Sequence, residues 1–390
     1  MQTLGANKRG NTATYIAMCL LVSAASSLFN PVLSLFFNTK LNFSPLQISI
    51  FFILLPIATI VIVQTVAKFS DMGLQRPSII CISAIFGILS SIILYSYPSY
   101  IVLCTIGLIC LGSYPVSFPQ IFASAREYSV KYMGGSIMFA TFLRSLASLS
   151  WVVGPPMAYA LAIGVNFETL FIVTAAMFAL VCIVSFFFLP NVLDKSITNK
   201  DNHIQWWKDR SVMMLCFSNA FLFTAFSAYI TTMPLYVSQE LHMSESLPGY
   251  ILGLAAFIEI PLMFLAARMS KAIGLKPVVI IGAIGMPVFL IAFLYSSTAG
   301  QMLASTFFAA LFIAFVASMG MVFFQELLPS IPGQATSLYI NSSTAGQIAG
   351  GGLISLAESG SYVIIYQVGL VISAIGVIFL FFVKKPPRVK

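Results

Sequence analysis

The sequence predicts an all-α membrane protein, with twelve transmembrane helices arranged as two pseudo-symmetric six-helix bundles. Three observations predict it. The first is solvation: 59% of the 390 residues are apolar and 8% are charged, with a mean hydropathy of +0.99. A soluble chain carries about a quarter charged residues. The 19 Lys and Arg and 11 Asp and Glu are too few to coat one or two water-soluble domains, which excludes an ordinary cytosolic enzyme. The second is run length. Stretches such as 48–66 and 368–383 are almost continuously apolar, whereas the strands of a membrane barrel alternate over ~10 residues. The third is the placement of the basic residues relative to the helices.

Hydropathy and loop punctuation place the first six helices at 14–37, 46–66, 78–96, 100–123, 134–163 and 168–189. A polar stretch, 191–209, separates them from six more at 210–238, 248–268, 277–295, 299–325, 333–357 and 361–383. The expected organisation is therefore a bundle over 1–190, a cytoplasmic linker over 191–209 and a second bundle over 210–390. With the N-terminus in the cytoplasm, 17 of the 19 basic residues fall on that side, Lys40 alone lies outside and Arg144 lies within a span. That asymmetry is the positive-inside pattern. It predicts a multi-pass membrane protein with both termini cytoplasmic. It also argues against nucleic acid as partner despite a net charge of +8, because the charge is spread over six segments that face lipid head groups. The first apolar run reaches about Phe37, too long for the core of a cleavable signal. All six cysteines lie in apolar runs without metal-ligand spacing, as small core residues do.

The halves are weak copies of each other. Ala67-Lys68-Phe69-Ser70-Asp71, followed by Gly73, Arg76 and Pro77, recurs as Ala267-Arg268-Met269-Ser270-Lys271, followed by Gly274, Lys276 and Pro277. Leu41-Asn42-Phe43-Ser44 matches Leu241-His242-Met243-Ser244 at the same offset, and Phe118-Pro119-Gln120 parallels Phe323-Phe324-Gln325. Parallel six-helix repeats are one of the transporter designs, with a substrate site near the midplane.

The loop after helix two resembles that of the major facilitator superfamily, keeping Asp71 and the downstream Arg76, with Ala67 and Met72 where the superfamily has Gly and a base. Within the superfamily the chain is most similar to the bacterial sugar efflux transporters. The motifs are Pro119-Gln120-Ile121-Phe122-Ala123 with Ala125-Arg126-Glu127-Tyr128, and Arg144 through Trp151-Val152-Val153-Gly154-Pro155-Pro156. In the second half they are Met233-Pro234-Leu235, Ser238-x-Glu240-Leu241 and Glu259-Ile260-Pro261. The resemblance implies the twelve-helix fold of the superfamily, export of small sugars or glycosides, and a monomer.

Charge inside lipid costs at least ~2.5–3.5 kcal/mol, so an ion within a span is a functional candidate. Two stand well inside spans, Arg144 on helix five and Glu259 on helix eight. Trp151 follows Arg144 by seven residues, two turns, which sets both on one face with Ser148 between them. An indole stacks on the apolar face of a pyranose, a guanidinium donates to its hydroxyls, and a carboxylate accepts from others. The same Arg–Trp spacing with a Glu on helix eight resembles the superfamily's lactose-carrying permeases. Arg144 and Glu259 can equally neutralise each other across the bundle. A protonatable acid in a span also points to coupling: desolvation favours the neutral carboxyl, so Glu259 is the expected proton carrier of a sugar/proton antiport.

Asn30, Asn219, Tyr229, Asn341 and Gln347 are further substrate-binding candidates, each as able to bond a neighbouring helix as a hydroxyl. At the inner ends, Asp71 is expected to form a gate ion pair with Arg126 or Arg76, and Gln120 and Gln325 to shape that gate. Glu127 reads as a solvated loop charge, and Gly350-Gly351-Gly352 as close helix packing. His203 and His242 are too isolated to ligate a metal, and no cofactor is expected. A multidrug efflux antiporter is the alternative within transport, which the 35 phenylalanines do not decide because lipid faces use them too. A non-transporting receptor is the alternative of another class. The chain offers neither a signalling domain nor a catalytic cluster.

Overall fold

The computed structural model describes residues 2–71, 74–133, 137–191, 206–329 and 332–384, and no strand occurs among them. The helices are α1 (Asn11–Thr39), α2 (Pro45–Asp71), α3 (Arg76–Ser96), α4 (Tyr100–Met133), α5 (Ile137–Gly164) and α6 (Phe167–Phe188). After the linker come α7 (Arg210–Glu240), α8 (Leu247–Ile273), α9 (Leu275–Leu294), α10 (Ala299–Leu327), α11 (Pro332–Leu353) and α12 (Val363–Phe382). Several run past their hydropathy limits, α4 farthest, to Met133, with α2 reaching Asp71 and α8 Ile273. Intrahelical hydrogen bonding does not stop where lipid does. Polar caps mark several starts: Asn166 accepts from the Thr169 N–H at 2.7 Å before α6, and Thr298 with Gln301 forms a capping box on α10.

Eleven of the twelve combine the length and hydropathy of a membrane span. The exception is α11. Its 22 residues are long enough to cross, but Ser337, Asn341, Ser342, Ser343, Thr344 and Gln347 make it too polar to face acyl chains all round. It packs against α7 instead.

The chain forms two compact units, one of residues 1–36 with 54–199, the other of 37–53 with 200–390. In the first, α1 packs on α5 and α6, and α3 on α4 and α6; in the second, α7 packs on α11 and α12, and α9 on α10 and α12. Adding six to each helix number converts the first set into the second, which is the repeat seen in sequence expressed as packing. The first core gathers Tyr15, Met18, Tyr128, Phe139 and Leu143. In the second, Tyr229, Phe289, Phe293, Tyr236 and Tyr366 stack with centroids 4.6–5.8 Å apart.

The glycines of α11 are where helices touch. A Cβ on Gly350 would lie 2.6 Å from the Thr224 carbonyl oxygen and 2.8 Å from the Ser227 Cβ, and one on Gly351 would lie 2.6 Å from the Phe52 carbonyl oxygen. Backbone cannot yield at those distances, so only hydrogen fits.

Candidate functional site

In the first unit, α1 is interrupted by a 3₁₀ turn at Asn30-Pro31-Val32. Proline forces the break because it lacks an N–H and clashes with the preceding turn. Two phenols pin the turn: Tyr114 of α4 donates to Asn30 Oδ1 at 2.5 Å, and Tyr159 of α5 donates to the Pro31 carbonyl at 2.8 Å. Tyr114 starts a second such turn, Tyr114-Pro115-Val116. Asn30 is exposed; with its carbonyl taken by Tyr114, what it offers a ligand is its amide N–H pair.

Trp151 stands on α5, half-buried, one residue from Ser150, whose carbonyl accepts from Ser27 Oγ of α1 at 3.1 Å. Sequence reasoning missed the role of the two prolines beyond it. Pro155 and Pro156 lie inside α5 and have no N–H to return to the carbonyls four residues earlier, those of Trp151 and Val152. The indole therefore comes with two backbone acceptors released from the helical ladder. The signal was the four-residue offset between Trp151 and Pro155. Arg144 belongs to α5, but its side chain lies outside the described residues.

In the second unit, Glu259 is half-buried at the middle of α8. Pro261 comes two residues later and has no N–H for the Phe257 carbonyl, so the acid sits beside a weakened turn. On α11, Asn341 and Gln347 are exposed, and the Gln347 carbonyl accepts from Ser227 Oγ at 3.4 Å.

Two candidates are buried in the helix packing. Asn219 is 3% exposed, and its amide donates to Ser342 Oγ and Ser343 Oγ, both at 2.8 Å, and to the Tyr339 carbonyl at 3.2 Å. It ties α7 to α11. Tyr229 is 2% exposed and packed among Phe226, Phe289 and Phe293. Asn219→Ala should therefore lower stability by ~1–2 kcal/mol, the worth of its hydrogen bonds, and leave the relative affinities over a panel of ligands unchanged. Thermal unfolding and competition binding on the same preparation would check both.

At the inner ends Arg76 reaches Glu127: Nε lies 2.9 and 3.0 Å from the two carboxylate oxygens and Nη2 2.6 Å from Oε1. Its Nη1 donates to Ser70 Oγ at 2.9 Å and Gln120 Oε1 at 2.8 Å. Glu127 is 7% exposed, so it is a buried ion-pair member rather than a solvated loop charge. Arg126, its neighbour, is exposed; one position along a helix turns a side chain by about 100°. The Asp71 side chain lies outside the described residues. The duplicated position behaves differently, since Lys276 donates to the Phe381 and Val383 carbonyls at the end of α12. Gln325 reaches Thr336 Oγ1 at 2.8 Å, joining α10 to α11.

Glu240, in sequence only a motif residue, gains contacts here. Its oxygens accept from Ser361 Oγ and the Tyr362 N–H, both at 2.7 Å, at the start of α12. Burial first, and then the field of Glu240, push the Tyr362 phenol above its ordinary value. It stays a neutral donor, bonded to Gln239 Oε1 at 3.2 Å.

The model of the Major Facilitator Superfamily matches residues 15–210 and 215–390. The chain belongs to the major facilitator superfamily. Within it, the chain falls in the bacterial sugar efflux transporter family. It is 30% identical to Sugar efflux transporter A of Escherichia coli (strain K12) over 389 residues, 99% of this chain and 98% of that one. Sugar efflux transporter C of the same organism is 30% identical over 95% of both chains, and Sugar efflux transporter A of Dickeya chrysanthemi 31% identical over 90% of both. The crystal structure of the nucleoside transporter NupG shares the superfamily fold, with a TM-score of 0.82 over 95% of this chain and 98% of its own at 13% identity. A bacterial homologue of the iron transporter ferroportin gives 0.71 over 95% and 98% at 15%. This superfamily member is thus a multi-pass membrane transporter and not an enzyme.

Proposed function

We propose that the protein is a secondary carrier that exports small sugars or glycosides across the bacterial cytoplasmic membrane by alternating access, as a sugar/proton antiporter. The observation that carries the reading is 30–31% identity, over 90–99% of the chain, with proteins named sugar efflux transporters. The side chains suit the cargo. Trp151 gives an apolar face for a pyranose, the Trp151 and Val152 carbonyls accept from hydroxyls, and the Asn30 amide donates. Arg144 adds guanidinium donors, and Glu259 accepts from a hydroxyl or holds the coupling proton. Asn341 and Gln347 supply polar contacts from α11, while Asn219 and Tyr229 serve the packing. Arg76 and Gln120 brace the inner gate, with Asp71 five residues before Arg76 in sequence. The charge asymmetry of the loops supports cytoplasmic termini, and the family supports a monomer.

The test is efflux. Vesicles or cells loaded with labelled lactose or a thiogalactoside should lose it several-fold faster when the protein is present, and an uncoupler should remove most of that gain. Unchanged sugar loss together with faster loss of a cationic dye would replace this reading with the multidrug exporter.

A further inference from the structure

The chain has three tryptophans, and two of them, Trp206 and Trp207, are adjacent. They form a short helical turn with Lys208 directly before α7, their rings edge to face at 5.8 Å and 83°. Trp207 is 55% exposed, and Lys208, Asp209 and Arg210 are exposed as well. Asp209 offsets only one of the two bases, and its Oδ1 is turned to the cap of α7, accepting from the Ser211 N–H at 2.7 Å and the Val212 N–H at 3.4 Å. A carboxylate there is held by the helix dipole. The outward charge of the segment is therefore positive.

Position decides what meets it. The apolar run of α7 begins at Val212, so the indoles stand within ~10 Å of the hydrocarbon boundary along the helix axis. Indoles collect at that depth, where their rings face acyl chains and their N–H groups face water. On the cytoplasmic side, to which the loop charges assign this turn, the leaflet carries anionic lipid.

We propose that the Trp206–Arg210 turn is a docking surface for anionic phospholipid of the inner leaflet, with the tryptophan pair anchored among the head groups and Lys208 and Arg210 on the phosphate. The contact fixes where the linker enters α7, whatever the carrier moves. Each basic side chain near such a surface enriches anionic lipid by about 5-fold.

The experiment uses Trp151→Phe protein in proteoliposomes, where only the two indoles of the turn fluoresce. Phosphatidylglycerol brominated on shallow acyl carbons should quench them more than equally brominated phosphatidylcholine at the same mole fraction, and moving the bromine deep should weaken the effect. K208Q with R210Q should equalise the two lipids. Equal quenching before those substitutions, no quenching by either lipid, or a preference that survives the substitutions would each overturn the proposal. If Trp151→Phe does not fold, W206F with W207F in the native background serves: the phosphatidylglycerol-specific part of the quenching should vanish, and its persistence would overturn the proposal.

Discussion

Glu259→Gln should reduce pH-gradient-driven sugar efflux to the level of vesicles without protein. The amide keeps the size of the side chain and can still bond a hydroxyl, but it has no proton to release. Sugar-for-sugar exchange, which needs no net proton movement, should therefore continue in the variant at an appreciable fraction of the native rate. The two assays separate a coupling role from a structural one, because a misfolded carrier loses both. An ionised carboxylate inside a span costs at least ~2.5–3.5 kcal/mol, and evolution could have avoided it with an amide if hydrogen bonding were its only task. Native pH-driven efflux in Glu259→Gln vesicles would remove Glu259 from the coupling step.

Much of this architecture could be read in advance because lipid imposes a coarse rule, an apolar run of about 20 residues per crossing, and leaves so few charges that each is visible. The rule is weakest at α11, placed at 333–357 and found at Pro332–Leu353, whose polar positions face the backbone of α7 where Gly350 brings the helices together. Sequence cannot tell a polar side chain that serves packing from one that serves a ligand. Asn219 and Asn341 look alike as letters; one is buried against Ser342 and Ser343, and the other is exposed. The partner of Arg76 was hidden for another reason. Glu127 reads as a solvated loop charge in sequence, but the contact that forms spans 51 residues, from α3 to α4. The released carbonyls of Trp151 and Val152 lay in plain view as Pro155 and Pro156, yet their meaning depends on those prolines being inside a continuous helix.

The Arg76–Glu127 pair should produce the largest stability effect of any single substitution at the inner ends. Both side chains are about a tenth exposed, 11% and 10%, so removing one partner takes a close counter-charge from the other in a poorly solvated site. Glu127→Ala should cost ~3–5 kcal/mol, whereas Arg126→Ala, at an exposed position, should stay within ~0.5 kcal/mol. The contrast controls for place in the sequence and for helix propensity. Arg76→Met combined with Glu127→Leu should recover most of the loss, since a buried pair replaced by apolar side chains of similar volume is often neutral. Transport by that double variant then reads the gate. If the pair only holds α3 against α4, efflux returns with stability; if Arg76 must also hold Ser70 and Gln120 through each cycle, efflux stays low in a protein that is otherwise stable. Equal melting temperatures for Glu127→Ala and Arg126→Ala would mean that the pair contributes nothing despite its burial.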